Sequence, residues 1–573
     1  MTISKSDTRR ASQAWKGLPA LVDFAVASHA RASALLLALA LIAFLPGFFQ
    51  IPPVDRDEAR FAQATKQMVE TGDYIDIRFQ DEVRYKKPAG IYWLQAAVVN
   101  GAEAAGIANA HTTIWLYRIP SLLGAIGAVL LTYWTTLAFA SRRAAVLAGV
   151  MLASSILLGV EARLAKTDAM LLCATVAAMG ALARIYLSRG DPPSVLQGLT
   201  LPAIFWTALA GGILLKGPVI VMVAGLTVGT LTFADRSARW LWQLRPLPGL
   251  LWVLLLCLPW FAAIMHRAGD TFLIDSIGKD LLEKVASGQE THGAPPGTYL
   301  LLFWLTFWPA APLAALAAPA VWAARHEWGT RFLLAWIVPS WIVFEIVATK
   351  LPHYVLPLYP AIAILAAGAM NAGVLSQRRW LVYGASWWFI IPLVAGVGVI
   401  IGAVYLTHDL HLLAWPFAAA ALIMGLLAWR LYEADGAEKS LLRAAAASIF
   451  MALTVYGALL PAMTELFPSV TLARIERQSG CAGPAVSAGY QEPSLIFLGG
   501  TRTILTDGRG AADFLALGGC RLAFVESRQE RSFVTRADAI GLRYAAGPRF
   551  EAIDFSGGHF LSIAVYRSQA ERP

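Results

Sequence analysis

Long apolar runs alternate along this chain with short charged breaks. Thirteen runs approach the roughly 20 residues that a helix needs to cross a bilayer. They are 32–50, 114–139, 144–162, 168–187, 200–215, 218–234, 247–265, 298–323, 332–349, 354–373, 380–405, 411–430 and 442–462. Lys216-Gly217-Pro218 breaks the stretch Leu201–Phe233, which reads as two short spans joined by a turn. After about Glu465 the pattern changes. Short β-rich runs (Ala485–Tyr490, Leu495–Leu498, Leu522–Val525, Phe560–Tyr566) alternate with helix-like stretches, Gly510–Leu517 and Thr535–Ile540. That alternation predicts a small α/β unit. The expected architecture is a mainly α membrane protein. About thirteen transmembrane helices occupy residues 1–464, and a soluble α/β domain occupies 465–573.

Charge orients the array. With a cytoplasmic N-terminus, Arg9/Arg10, Arg142/Arg143, Arg236/Arg239/Arg245, Arg325/Arg331 and Arg378/Arg379 all fall inside. This is the positive-inside bias, and the reverse orientation violates it. Composition agrees. Of 573 residues, 57% are hydrophobic and 14% charged, and the mean hydropathy of +0.58 is far above that of soluble chains. The net charge of +9 is explained by the inside loops. It points to a lipid bilayer and not to nucleic acid. No cleavable signal peptide is evident, since Met1–Arg31 is long, basic and polar. Cys173 and Cys257 lie in apolar runs and read as core. Cys481 and Cys520 form either a disulfide in an oxidising compartment or two free thiols. No Cys/His spacing suggests a metal.

The segments on the other side are chemically different. They comprise loops 51–113 and 266–297, the turns at 161–167, Lys216, Thr349–His353 and His408-Asp409, and everything after Pro461. Charge at a helix centre costs about 2.5–3.5 kcal/mol on insertion scales; at helix ends it snorkels more cheaply. Asp57, Lys87, Glu161, Asp168, Lys216 and Lys350 nevertheless face one compartment. Their convergence predicts an active site at the outer membrane–water boundary.

The first outer loop carries the densest charge. Asp55-x-x-Glu58 fits a capping box, with Asp55 capping a helix over Arg56–Glu70. Phe61, Ala64 and Met68 give that helix an apolar face to lie along the interface, and Gly72 ends it. Tyr74–Phe79 and Val83–Lys87 flank a hairpin-like turn at Gln80-Asp81-Glu82, and Pro88 opens a second helix over 88–104. Capping explains one acid and leaves Asp57 in the first turn, near Arg60. A carboxylate there suits a general base acting on an acceptor hydroxyl. Lys86 and Lys87, folding back after the hairpin, suit an anionic leaving group. One base with several cations at a bilayer surface fits transfer of a sugar from a lipid phosphate. An interfacial helix with solvated charge accounts for the same residues without chemistry.

Three stretches carry a resemblance. Asp57-Glu58-Ala59-Arg60-Phe61, Met68-Val69-Glu70-Thr71-Gly72-Asp73-Tyr74, Arg84-Tyr85-Lys86-Lys87-Pro88 and Tyr92-Trp93 make up the first. Together they resemble the first outer loop of the lipid A aminoarabinose transferases. These belong to the protein-mannosyltransferase group of membrane glycosyltransferases with the GT-C fold. Arg163-Leu164-Ala165-Lys166-Thr167-Asp168 resembles the second outer turn, and Lys350-Leu351-Pro352-His353-Tyr354-Val355-Leu356-Pro357 a later one. The resemblance implies a polyprenyl-phosphate-linked sugar as donor and lipid A or another outer-leaflet glycolipid as acceptor. It implies Asp57 as the catalytic carboxylate with Arg60 beside it, and Asp168 as a further catalytic residue. Lys86, Lys87, Tyr85, Lys216, Lys350 and Tyr354 would bind the carrier phosphate or the sugar. Inversion would follow from one direct displacement. Relatives with an acid before the Lys-Pro pair can hold a metal there. This chain has Lys86, and Phe272–Asp280 lacks a histidine, so no metal and no other cofactor is expected. The extra cation suits an acidic sugar such as galacturonic acid better than an amino sugar. The implied location is the bacterial inner membrane, with the site and the C-terminal domain in the periplasm.

Other residues carry two readings each. Lys216 either snorkels at a helix end or meets phosphate. Asp168 either caps a helix or takes part in catalysis. Glu345, an intramembrane acid, is a functional candidate or the partner of Lys350. Glu290 and His292 lie in a Gly/Pro-flanked loop that could close over the site. Trp304 and Trp308 read as interface belt. A transporter or flippase would need internal repeats and mid-bilayer charge, neither of which is evident. A protein O-mannosyltransferase differs only in its acceptor.

Overall fold

The computed structural model describes residues 17–188, 197–269, 272, 293–481, 483–554 and 557–568. Each apolar run is mostly helical where described. Among the described residues, eight helices are long and apolar enough to cross a membrane, and four more apolar helices are shorter: His29–Phe44, Val219–Asp235, Ala311–Ala323 and Ala414–Arg430. The count of thirteen is therefore not established, because two of the runs are broken. The 144–162 run divides into Arg142–Ala153 and Ile156–Glu161. Ser154 and Ser155 turn their hydroxyls back onto the Val150 and Leu152 carbonyls, at 2.7 and 2.8 Å, and Ser155 takes an extended conformation. Such back-bonding competes with a continuous helix. The 298–323 run divides into Thr298–Thr306 and Ala311–Ala323, with Pro309 and Pro312 at the break.

Small residues hold the bundle together. Ala144–Ala153 is buried at every position. A Cβ on Gly124 would sit 2.7 Å from the Met170 backbone nitrogen. Only glycine therefore lets the Ile114–Thr136 helix lie so close to the Asp168–Leu187 helix, and this contact sets where Asp168 emerges. Trp308 is fully buried and donates to the Trp387 carbonyl at 3.0 Å, so it is core and not interface belt. Trp304 stacks on Trp387 with centroids 5.8 Å apart.

In the first loop the helix covers Asp57–Thr71 and ends at Gly72 in the left-handed region. The hairpin is minimal, with β1 (Arg78–Phe79) antiparallel to β2 (Glu82–Val83), and Gly90–Ala104 is the following helix. Two expectations are corrected. The Asp57–Thr71 helix does not lie bare along an interface. It is covered by the Gly90–Ala104 helix and by the helix Pro493–Gly499, and even Gln63, Thr65 and Lys66 are buried. Nor does Asp55 cap it. Arg56 precedes the helix with φ 65° and ψ −106° and no side-chain cap, and Asp55 Oδ1 instead accepts from the Ser494 backbone N–H at 3.0 Å. Glu58 alone keeps a capping-box role, accepting from the Val54 N–H at 2.9 Å.

The C-terminal segment forms a five-stranded sheet in the order β4-β3-β5-β7-β6. β3 (Val486–Ala488) runs parallel to β4 (Ile504–Thr506) and to β5 (Leu522–Glu526). β7 (His559–Ser568) pairs antiparallel with β5 and with β6 (Tyr544–Asp554). Helices Gly508–Ala516 and Ser527–Ala539 pack on it. Leu495–Leu498, expected as β, lies in the Pro493–Gly499 helix, where Pro493 starts the first turn. β6 escaped notice because it is largely exposed and carries an irregularity at Ala546–Arg549, which erases the period of two. Cys481 and Cys520 are disulfide-bonded, with Cα atoms 5.0 Å apart.

Candidate active site

Residues from five distant segments line one cavity of about 290 Å³. The start of the Asp57–Thr71 helix supplies Asp57 and, one turn on, Arg60. Arg84, Lys86 and Lys87 come from the chain after β2. Lys166, Thr167 and Asp168 come from the turn before the Asp168–Leu187 helix, and Lys216 ends the Gln197–Lys216 helix. Thr349, Leu351, His353 and Tyr354 close the wall, and Asp55, Arg56 and Phe61 complete the lining. The sequence places these groups more than 290 positions apart at the extremes. Seven basic side chains meet three acidic ones, so the cavity is suited to an anion.

The floor is an ion-pair cluster. Lys216 Nζ donates to Asp168 Oδ1. Lys166 Nζ donates to Glu161 Oε1 at 3.1 Å and lies 3.8 Å from Asp168 Oδ2. Burial alone would lower the Lys166 ammonium, but Glu161 and Asp168 carry it above its ordinary range. Asp168 at a helix N-terminus and Lys216 at a C-terminus each sit where the helix dipole favours them. The Lys216 ammonium also lies 5.3 Å from the centroid of the Tyr354 ring, within cation–π range. His353 bridges the two acids, with Nδ1 3.7 Å from Glu161 Oε1 and Nε2 3.8 Å from Asp168 Oδ1. By ligand type Glu161, Asp168 and His353 could hold a metal ion, since one donor atom from each lies within 4.8 Å of the others. Lys166 and Lys216 already neutralise both carboxylates, so an ion there would have to displace or tolerate two ammonium groups.

A second network holds the first loop to the bundle. Arg118 and Glu58 are each 1% exposed. The guanidinium donates to Glu58 Oε1 and Oε2 at 2.8 and 2.9 Å, and to the carbonyls of Phe48, Ile51 and Pro52 at 2.8–3.0 Å. All five of its N–H groups are used. Glu58 Oε1 also accepts from the Ala165 N–H at 2.9 Å. One carboxylate thus ties the Asp57 helix to the turn that carries Lys166 and Asp168.

Asp57, Arg60, Lys86, Lys87, Asp168, Lys216 and Tyr354 are therefore brought together. Tyr85 and Lys350 are not. Tyr85 is buried, donates to Asp76 Oδ1 at 2.9 Å and packs edge-on against Phe272. Its neighbours Arg84 and Lys86 face the cavity, which turns Tyr85 away. Lys350 is buried and donates to the Val347 carbonyl at 2.7 Å, while Thr349 and Leu351 on either side line the cavity. Alternation along the extended chain at Thr349–Leu351 keeps Lys350 out of the cavity. Glu345 does not pair with Lys350. It accepts from the Gly297 and Tyr299 N–H groups at 2.9 and 3.1 Å, capping the Thr298–Thr306 helix. Glu290 and His292, and all of Phe272–Asp280 except Phe272, lie outside the described residues.

Sequence reasoning passed over His353, Arg84 and the Arg118–Glu58 pair. Lys166 and His353 stood inside quoted motifs without a role. Arg118 had a usable signal, an arginine within an apolar run, which marks a residue with a specific partner. Nothing in the sequence pointed to Glu58 as that partner.

Residues 34–268 match the family of dolichyl-phosphate-mannose-protein mannosyltransferases. Among curated proteins, the chain is 28% identical over 393 residues to an undecaprenyl phosphate-alpha-4-amino-4-deoxy-L-arabinose arabinosyl transferase of Enterobacter sp. (strain 638), covering 65% of this chain and 67% of that one. A protein of the same description from Edwardsiella ictaluri (strain 93-146) is 27% identical, covering 58% of each chain. The sequence match thus spans about three fifths to two thirds of these relatives' length. Among solved structures, ArnT from Cupriavidus metallidurans bound to undecaprenyl phosphate superposes with a TM-score of 0.69 at 19% identity, covering 94% of this chain and 99% of that one. The Archaeoglobus fulgidus oligosaccharyltransferase AglB, in complex with an inhibitory peptide and a dolichol-phosphate, reaches 0.50 at 11% identity, covering 90% of this chain and 69% of that one.

Proposed function

We propose that this chain, ArnT-like in sequence and GT-C in fold, is a membrane glycosyltransferase that moves a sugar from a polyprenyl phosphate to an outer-leaflet glycolipid, lipid A foremost. One observation carries the proposal: Asp57 shares a cavity with Arg60, Lys86, Lys87, Lys216 and Tyr354. The relatives' stated donor and the lipid phosphate bound by the structural neighbour support it. A transporter is disfavoured, because the charges sit at helix ends, with Asp168 first and Lys216 last in their helices.

In this reading the acceptor hydroxyl attacks the sugar's anomeric carbon. The bond from that carbon to the phosphate oxygen breaks, Asp57 takes the hydroxyl proton, and the carrier phosphate leaves as an anion. Arg60, Lys87 and Lys86 stabilise the charge that grows on the phosphate, and Lys216 with Tyr354 orients it. Asp168 holds Lys216 in place. Carboxylate and cations supply the chemistry, so no cofactor step is invoked. Single displacement inverts the anomeric centre. The sugar is an aminoarabinose-like pentose or a uronic acid such as galacturonic acid. Residues 1–464 form the catalytic membrane domain, 465–573 the appended α/β domain, and both the cavity and that domain face the periplasm of the bacterial inner membrane.

Mass spectrometry of lipid A from cells with the protein, without it and with Asp57→Asn tests this. Wild-type cells gain one sugar-sized increment that the other two lack. Unchanged lipid A with altered protein glycans would favour a protein acceptor, the reading closer to the mannosyltransferase match over residues 34–268.

A further inference from the structure

We infer that Asp55 is a positioning residue for Asp57: by accepting a hydrogen bond from the Ser494 N–H it ties the catalytic turn to the C-terminal α/β unit. The inference rests on the function proposed above, and it assigns that unit a part in catalysis.

Asp55 lines the cavity, yet its Oδ1 is turned to the first turn of the Pro493–Gly499 helix, 3.0 Å from the Ser494 nitrogen. Ser494 is itself fixed, its hydroxyl 2.6 Å from the Ser469 hydroxyl, which lies 2.8 Å from the Tyr490 hydroxyl. Between Asp55 and Asp57 stands Arg56, a non-glycine residue at φ 65° and ψ −106°. L-residues avoid that conformation, and it persists only where both flanks are held. Glu58 holds one flank through Arg118 and the Val54 N–H. The Asp55–Ser494 bond holds the other. The contorted turn is what lets Asp57 face the cavity while Asp55 Oδ1 reaches the Ser494 N–H.

The same C-terminal segment grips the rest of the catalytic helix. Lys66 donates to the Phe497 carbonyl and Gln63 to the Thr501 hydroxyl, each at 2.9 Å. The Thr501 hydroxyl donates to Glu70 at 2.7 Å. Residues 493–501 thus run along the Asp57–Thr71 helix as a splint. The environment of Asp55 agrees with a group held against protein: burial, aided by Glu492 and Asp554, raises its pKa from 3.8 to about 7.

The test uses the full chain in proteoliposomes with a polyprenyl-phosphate sugar donor and purified lipid A. Asp55→Ala should lower kcat at least tenfold with the donor KM within twofold, because the base is displaced while the phosphate site is left intact. Asp55→Asn keeps the accepting oxygen and should retain at least half of kcat. Ser494→Pro removes the donating N–H at a first-turn position that tolerates proline, and should reproduce Asp55→Ala. Hydrogen exchange read over residues 57–60 should quicken in Asp55→Ala and Ser494→Pro but not in Asp55→Asn. Full kcat in Asp55→Ala and Ser494→Pro would overturn the inference. So would equal losses in Asp55→Asn and Asp55→Ala without any change in exchange, which would make the charge and not the tether the active feature. Wild-type protein that transfers no sugar would sink the proposed function instead; the exchange comparison would still decide whether the tether exists.

Discussion

Removing Glu58 should be among the costliest single changes outside the cavity. In Glu58→Ala the Arg118 guanidinium keeps its three carbonyl acceptors but loses its carboxylate partner in a site 1% exposed. Stranding one partner of a buried ion pair costs about 3–5 kcal/mol. The Val54 and Ala165 N–H groups lose their acceptor as well, at about 1–3 kcal/mol each if no water replaces it. Water entering the vacated space offsets part of this, so the expected loss is about 5 kcal/mol. Titration with a denaturing detergent in mixed micelles, followed by tryptophan fluorescence, measures it. A double-mutant cycle sharpens the test. Arg118→Met alone strands the Glu58 carboxylate and three carbonyls. The combined Glu58→Ala/Arg118→Met chain strands no charge, so it should be more stable than the two single losses sum to, by at least about 2 kcal/mol. A Glu58→Ala loss under about 1 kcal/mol, or additivity within about 0.5 kcal/mol, would refute the claim that this pair fastens the first loop to the bundle.

Three further outcomes follow from the same geometry. Lys216→Met removes the cation nearest both Asp168 and the Tyr354 ring; sugar transfer should fall at least tenfold, and Lys216→Arg should recover part of it. Cys481→Ser/Cys520→Ser opens a link across 39 residues, and should cost the C-terminal unit about 2–4 kcal/mol, seen as earlier proteolysis within 465–568 under heating. Docking of that unit should depend on pH through Asp55, which faces Glu492, Asp554 and the Tyr490 hydroxyl, with Arg56 and Asp57 beside it in the chain. Its pKa rises from 3.8 to about 7 on docking, so the docked state holds the extra proton. Attachment is firmest in acid, weakens as pH climbs from about 4 to about 7 and is flat above. Exchange at residues 493–501 compared at pH 5.5 and pH 8 reads this, and Asp55→Asn should abolish the difference.

Much of the site was legible because bilayer physics is local. A charge in an apolar run is costly wherever it sits, so Asp168, Lys216 and Glu161 announced themselves at the ends of their runs. The apolar runs likewise marked where the helices lie, since backbone groups in lipid must be satisfied within the segment. Alternation was harder to use without knowing which face was inward. It sent Lys350 away from a cavity that its neighbours line, and the turn after β2 did the same for Tyr85. Pairing across the fold was not legible at all. Glu58 looked like half of a capping box, and only packing revealed that it answers Arg118, 60 residues away. Asp55 looked like the other half, and it serves instead the helix at Pro493.

The sequence by itself determined which segments are apolar, which end of them carries the acids and bases, and that after about 465 the long apolar runs give way to short β-rich and helix-like ones. These follow from hydropathy, period and charge, which act within a few turns of chain. The tertiary structure alone decided that the C-terminal unit folds back along the Asp57–Thr71 helix. It also decided that a buried arginine binds the first loop to the bundle, and that His353 joins the acids beneath the cavity. Those contacts join groups tens to hundreds of residues apart, and their energy depends on burial and on distances of about 3 Å that no linear pattern encodes.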